Sequence, residues 1–387
     1  MGFTAAELFR DFEGSPATVS RSLRQLFETD RVGFIDQCTE VLKQGTRTPL
    51  AVFLLRVIGG DPHALERFTD PAHFTFEQSL ELIRALMGTH ETIPPRLLAL
   101  LISEHHAVRD AWHDMRILEV ATKCCDFRAL LPSLTSLTRH QDTRIRSKAA
   151  LLFARVTDNV CLVEERLRDP DERVRAAVVE GLWGKKSPSA RLVLLRALRD
   201  TEHRVAANAA VGLYRAGDLA SIPALRAMVE RAEAPFQAAA LWAMGETGDP
   251  RFIRDASAAM RISTQSVRGN AVRSLVRLRN VDAQRSVLPP LQVEARLVNN
   301  SLRVEVRTAD RSPVTDIPDT AFIVEGQGGA AELSVDSVTC RVPTEPSDAN
   351  DCDPVPWYEI AFGGPAASPL VVTVNLDAGK GQRRLCG

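Results

Sequence analysis

From Asp169 to Arg261 the apolar positions of this chain recur every 31 residues. One column holds Val174, Val205, Phe236 and, just past the stretch, Val267. Others hold Val178, Ala209, Ala240 and Ala271, and Leu182, Leu213, Met244 and Leu275. A fourth is small throughout: Gly181, Gly212, Ala243 and Ser274. A shift of 29 residues adds an earlier copy at Ile145, Ala149 and Phe153. A fixed period of this size means stacked units, each burying its apolar face against its neighbours. The polar positions divide each unit in two. Asp158, Ser187, Asp218, Asp249 and Asn280 fall at equivalent places, and all are residue types that cap helix N-termini. Pro188 and Pro250 follow directly, where a missing N–H costs nothing. Gly217 and Gly248 stand just before, suited to ending the preceding helix. Each unit therefore reads helix, turn, helix.

On either side the period changes. Residues 1–139 keep helical spacing without a strict repeat: Val32, Ile35, Cys38 and Leu42; Leu50, Phe53, Leu54 and Val57; Phe76, Leu80, Ile83 and Met87. Gly59-Gly60, Asp61-Pro62, Asp70-Pro71 and Pro94-Pro95 punctuate them. We expect a worn end of the array with an N-terminal cap. After Pro289-Pro290 the spacing falls to two, at Val293, Ala295 and Leu297 and again at Leu302, Val304 and Val306. Residues 321–324, 333–338, 357–362 and 370–374 continue the series. Six or seven short strands with Gly, Pro and Asp turns predict a small antiparallel β-sandwich. The expected organisation is 1–139, degenerate helical repeats; 140–288, regular repeats; and 289–387, a β-domain, which we expect to cap the last repeat's apolar edge.

The unit resembles a HEAT repeat of the phycobilisome-lyase-like subtype. The residues that carry the resemblance are Asp171-Glu172-Arg173-Val174-Arg175-Ala176-Ala177 and Ala243-Met244-Gly245-Glu246-Thr247-Gly248-Asp249-Pro250-Arg251. It implies a mainly α fold, a right-handed superhelical solenoid. The segment from Leu302 to Gly326, with Val306, Pro313-Val314 and Phe322, is similar to Ig-like segments that accompany bacterial von Willebrand A-type proteins. Neither resemblance assigns a function, because a repeat fold serves many unrelated roles.

Composition changes this picture in one respect. The net charge is −1, yet residues 140–285 hold 25 basic and 17 acidic side chains, while residues 286–387 hold 8 and 14. Residues 1–139 hold 15 and 18. Arg144, Arg146, Arg173, Arg175 and Arg204 recur at the start of the first helices beside Asp142, Asp171, Glu172 and Glu202. Such pairs form charge ladders between stacked units. The alternative, a phosphate-binding stripe, lacks the interleaved aromatics that stack bases, and HEAT-like DNA glycosylases have no matching Trp and Asp pocket here. Nucleic acid is therefore not the expected partner.

The densest ligand-like cluster is Glu104, His105, His106, Asp110, His113 and Asp114. On a single helix His106, Asp110 and His113 would share a face and could hold a metal; the competing reading is a solvated polar stripe. HEAT-fold di-iron hydroxylases carry paired His-Glu motifs on several repeats. Here His90-Glu91 is the only such dipeptide and lies outside the regular units, so no metal or other cofactor is expected. The seven cysteines form no CxxC motif. Cys124 and Cys125 read as buried thiols; two of Cys340, Cys352 and Cys386 could pair if the chain were exported. No basic and apolar leader opens the sequence, and no apolar run approaches the length of a membrane span. The expected compartment is the cytoplasm, with export left open, and the expected source bacterial.

No GxSxG, P-loop, GxGxxG or HExxH motif occurs. The second helices should line the inner face of the curve, with Arg199, Glu230 and Arg261 in one column, Leu195, Arg226 and Ser257 in another, and Arg254 nearby. Arg199, Arg226, Arg254 and Arg261 are thus the expected partner-binding residues of a non-catalytic scaffold for proteins. A HEAT-repeat enzyme or lyase-type chaperone is the alternative.

Overall fold

The computed structural model describes residues 5–12, 14, 16–88, 90, 93–104, 110–124, 128–262, 264–287, 290–299, 301–326, 332–341, 356–363, 370–376 and 379–385. The chain divides into two compact units, Met1–Arg166 and Leu167–Gly387.

The first unit is helical: α1 (Ala5–Asp11), α2 (Pro16–Thr29), α3 (Arg31–Gln44), α4 (Pro49–Ile58), α5 (Pro62–Thr69), α6 (Phe76–Leu86), α7 (Ile93–Glu104), α8 (Ala111–Ala121), α9 (Leu131–Leu137), α10 (Thr143–Val156) and α11 (Val160–Arg166). Caps set the starts of several. Asp30, Thr48, Asp61, Thr75 and Asp142 each accept a hydrogen bond from a backbone N–H of the first turn. Ile35, Cys38, Leu54, Leu80, Ile83, Leu97 and Phe153 are buried between the helices. Burial pushes the Cys38 thiol far above the ordinary thiol range.

The second unit begins with the repeats: α12 (Glu172–Gly181), α13 (Pro188–Ala197), α14 (His203–Arg215), α15 (Ser221–Val229), α16 (Ala234–Thr247), α17 (Ile253–Ile262) and α18 (Gln265–Val287). First helices stack on one another, α12 on α14, α14 on α16 and α16 on α18, while α13, α15 and α17 each pack on the first helix that follows. Every residue of the four 31-residue columns is buried. At Ser274 of the small column the first helices come close: a Cβ on Gly245, outside the column on the preceding first helix, would lie within 2.9 Å of Ser274 Oγ. The Ser274 hydroxyl donates to the Leu241 carbonyl, closing that approach with a hydrogen bond.

Asn208, also buried, ties α14 to α12. Its Nδ2 donates to the Ala176 carbonyl at 3.1 Å, and its own carbonyl accepts from Trp183 Nε1 at 2.8 Å. Asn208→Ala is expected to cost about 1–2 kcal/mol, from one lost buried hydrogen bond and a small void. Urea denaturation checks this, and an unchanged midpoint would mean that the bond adds nothing net.

The turn register holds at two of its five positions and shifts at the others. Ser187 caps α13 and Asp249 caps the 3-10 turn that leads into α17. Asp218 accepts from Ala220 N, one residue ahead of α15. Asn159, one place later than Asp158, precedes α11 and accepts from the Leu162 N–H of its first turn. Asn280 lies inside α18, which runs unbroken from Gln265 to Val287. No Pro or Gly follows Asn280 to stop the helix, so the last unit is one long helix, not a pair. Gly217 (φ +85°) and Gly248 (φ +66°) do adopt the left-handed backbone that ends α14 and α16.

Beyond α18 lie two four-stranded antiparallel sheets. One has the order β1 (Gln292–Val298), β2 (Ser301–Arg307), β6 (Trp357–Phe362), β5 (Val335–Arg341); the other β4 (Glu332–Leu333), β3 (Phe322–Glu325), β7 (Leu370–Leu376), β8 (Gly379–Leu385). Both contribute to one apolar core: Leu302, Val304, Tyr358 and Ile360 from the first, Phe322, Val324, Val372 and Val374 from the second. The 333–338 segment splits between the two sheets as β4 and β5. β8 adds a strand that the alternation did not predict. Its sequence, Gly-Lys-Gly-Gln-Arg-Arg-Leu, has one apolar residue, and pairing with β7 defines it. The sheets leave the last repeat's apolar edge open: Met260, Val272 and Val276 are 41%, 45% and 54% exposed. The β-domain meets the repeats elsewhere, at their turns and the end of α18. Among the described residues, no helix is long and apolar enough to cross a membrane.

Candidate functional site

The repeats meet the β3–β7 sheet along one polar seam. Strand alternation prepares the sheet side. In β7, Leu370, Val372 and Val374 point into the core, which leaves Thr373 and Asn375 on the opposite face; in β3, Phe322 and Val324 point inward and Ile323 and Glu325 outward. Ile323 pairs with Thr373 and Asn375 with Lys380 across the strands, so these residues form one patch. Outward-facing strand positions are commonly solvated, yet Thr373 and Asn375 are buried, in a cleft that Pro250 and Arg251 of the repeats also line.

The repeat side is held by a buried ion pair. Arg251 places its guanidinium on the Asp249 carboxylate, with Nε 3.0 Å from both oxygens and Nη2 2.6 Å from Oδ2. The same guanidinium donates to the carbonyls of Thr320 (2.6 Å) and Phe322 (3.4 Å), at the entrance to β3. The two side chains are 4% and 2% exposed, so the pair is shielded from water. Burial pushes the Tyr214 hydroxyl far above its ordinary range, and the nearby Asp249 adds to the effect. Two further contacts fix the seam. Lys380 Nζ lies 3.0 Å from Asp282 Oδ1 at the end of α18, and the Leu291 N–H donates to the Lys380 carbonyl.

Beside this joint opens a cleft of about 440 Å³. Its walls are Arg226 near the end of α15 and Pro250, Arg254 and Asp255 at the entry to α17; its floor is the sheet patch of Ile323, Glu325, Thr373, Asn375 and Lys380. Arg226 Nε lies 3.4 Å from Asp255 Oδ2. A second cleft of about 600 Å³ lies farther along the seam, between Lys185, Lys186 and Arg191 of one repeat and the 316–319 loop. There burial raises the Asp319 carboxyl, and Asp218 opposite it adds to the shift.

Of the four arginines singled out in the sequence, the structure brings Arg226 and Arg254 together in the first cleft. Arg199, exposed in the turn after α13 and not on the helix, and Arg261, exposed near the end of α17, do not line it. Glu325, Thr373, Asn375 and Lys380 were not among the candidates. The only sequence signal for them is a polar residue on the non-core face of a strand, which any solvated strand also shows.

The repeat arginines behave as a ladder. Arg175 bonds Asp200 through two nitrogens, at 2.9 and 3.0 Å, and also donates to the carbonyls of Asp169 and Pro170. The Asp200 hydrogen bond raises the Arg175 pKa further. Arg191 pairs with Asp218, and Arg215 and Arg277 converge on Glu246. Asp142 and Asp171 act as helix caps, accepting from Arg144 N and Arg173 N.

In the 104–114 cluster, His105 and His106 lie outside the described residues. Asp110 and His113 do meet, but not as neighbours on one helical face. Asp110 precedes α8 in an extended conformation, and the two form a capping box with Oδ1 2.8 Å from His113 Nδ1. Hydrogen bonds from His113 lower the Asp110 carboxyl pKa. Among the described residues, no group of three or more His, Cys, Asp or Glu side chains is placed to hold a metal ion. Cys340 is a free, exposed thiol; Cys125, Cys352 and Cys386 lie outside the described residues.

Comparison with known proteins finds a family profile described as HEAT repeats over residues 162–236. No curated protein matches the sequence. Solved structures that align include human deoxyhypusine hydroxylase in complex with glycerol, at 16% identity and a TM-score of 0.27 over 66% of this chain and 99% of that one. YibA of Escherichia coli aligns at 16% identity and a TM-score of 0.31, over 65% and 97%. Both scores are too low for anything about this chain to be taken from those proteins. The HEAT-repeat match spans α12 to α15, the helices whose 31-residue columns form the buried core, so this stretch carries HEAT repeats.

Proposed function

We propose that this chain is a non-catalytic scaffold or adaptor that binds protein partners through the surface of its repeats. In this reading the helix pairs form a right-handed solenoid of the phycobilisome-lyase-like kind. Residues 1–139 are its degenerate end, 140–288 its regular part, and 289–387 an Ig-like β-sandwich. The observation that carries the reading is the division of labour within each repeat. The recurring apolar and small columns are wholly buried, while Arg199 in the turn after α13 and Arg254 and Arg261 on α17 stay exposed. HEAT repeats are commonly protein-interaction scaffolds. The test is affinity capture from a lysate of the source organism with the full chain, with Arg199→Glu/Arg261→Glu, and with Arg226→Glu/Arg254→Glu. We expect proteins retained by the parent to be lost from at least one variant. An unchanged set of captured proteins from both would remove this surface as the binding face.

A further inference from the structure

We propose that the cleft between α15, α17 and the β3–β7 sheet recognises an acidic peptide segment, whose carboxylate sits between Arg226 and Arg254 and whose backbone N–H donates to Asn375. The proposal rests on the scaffold reading above and narrows it to one cleft and one ligand chemistry.

The first observation is Asn375. It is 8% exposed, lines the cleft, and its Oδ1 accepts no hydrogen bond from the protein. A buried amide oxygen without a donor is unfavourable. The oxygen is itself covered, so it takes an N–H or O–H from water or from a bound molecule when the Asn375 amide turns toward the cleft.

The second observation is the charge around it. Arg226, Arg254 and Lys380 line the same cleft, with Lys380 also held by Asp282. Guanidinium groups bind carboxylates through paired, charge-assisted hydrogen bonds. Glu325 and Asp255 also line it, and Asp255 already engages Arg226. The cleft thus offers donors on one side and acceptors on the other. Inorganic phosphate is mostly acceptor, with P–OH as its sole kind of donor, so it answers the arginines better than it answers Asn375 Oδ1 and Glu325 together. A peptide carrying an aspartate or glutamate supplies both an anion and N–H donors at short spacing. The volume of about 440 Å³ suits a few residues of such a segment.

The test is isothermal titration of the full chain with an acetylated, amidated hexapeptide of glutamates, at low and at raised salt, with inorganic phosphate as competitor. We expect saturable binding that weakens with salt. It should fall by about tenfold or more in Arg254→Ala and in Asn375→Leu. Arg296→Glu, on an exposed position of β1, controls for general charge and should leave it unchanged. Arg254 is exposed, so its variant keeps the test decisive if Asn375→Leu does not fold. No saturable binding, affinity unaltered by either cleft variant, or displacement by phosphate at the peptide's own concentration would each overturn the assignment. If the peptide fails while partner capture still depends on Arg199 and Arg261, the scaffold reading stands and the cleft assignment alone falls.

Discussion

Replacing Arg251 by methionine is expected to destabilise the second unit by about 3–5 kcal/mol, the usual cost of stranding one member of a buried ion pair. The variant keeps most of the side chain's bulk, so the loss reports charge and hydrogen bonding more than packing. Three groups are left behind: the Asp249 carboxylate, at 2% side-chain exposure, and the carbonyls of Thr320 and Phe322. The last two belong to the β-domain, so the loss acts at the joint between repeats and sheets. Asp249 would keep its other role, accepting from the residue 251 N–H as the cap of the turn into α17. Urea denaturation followed by both far-ultraviolet circular dichroism and tryptophan fluorescence checks this. The two probes should separate if the sheets let go before the repeats unfold. Asp249→Leu/Arg251→Met, which removes both charges, should recover much of the loss. A single variant within about 1 kcal/mol of the parent would show that the guanidinium is not what holds the seam.

Tyr358→Ala is expected to cost about 3–5 kcal/mol in the β-domain. The side chain is 1% exposed at the centre of the shared core, with its ring centroid 5.1 Å from that of Phe322. Its hydroxyl has a separate task. It accepts from Ile317 N and donates to the Val314 carbonyl, both at 3.2 Å, and so anchors the loop that leads to the joint. Tyr358→Phe keeps the ring and strands those two backbone groups, for an expected loss of about 1–3 kcal/mol. Equal losses in the two variants would mean that the ring adds nothing beyond the hydroxyl. A pH dependence separates them further. Burial raises the Tyr358 pKa above its ordinary 10.0. The corresponding stability is complete below pH 10 and is lost as pH rises through the elevated value in the folded state. The parent should therefore lose stability in alkali more steeply than Tyr358→Phe.

Much of the repeat fold was legible because its signals are local and repeated. The columns through Val174, Val178 and Leu182 are buried at every copy, since each unit meets the same neighbours. Where the reading slipped, a signal stood alone. Asn280 matched the capping register but lacked the Pro or Gly that breaks a helix, and α18 ran through it. Asp110 looked like the middle of a helical face and is instead the cap that starts α8. β8 has almost no apolar residues, and its hydrogen bonds to β7 alone make it a strand. The expected cover over the last repeat failed because apolar residues at the end of an array do not say where the next domain will sit.

The candidate site shows the same limit from the other side. The sequence alone determined the helical repeats, their buried columns, the change to strands after Pro290, and an arginine-rich repeat surface. Arg226 and Arg254 were visible as exposed helix positions of that surface. Only the tertiary structure placed them opposite Glu325, Thr373, Asn375 and Lys380, which come from the later β3, β7 and β8 strands. Periodicity records which face of an element is apolar, because burial selects residue type at a fixed spacing. It holds no record of which polar face meets which. That pairing depends on single contacts without a period, such as Arg251 on the Thr320 carbonyl and Lys380 on Asp282.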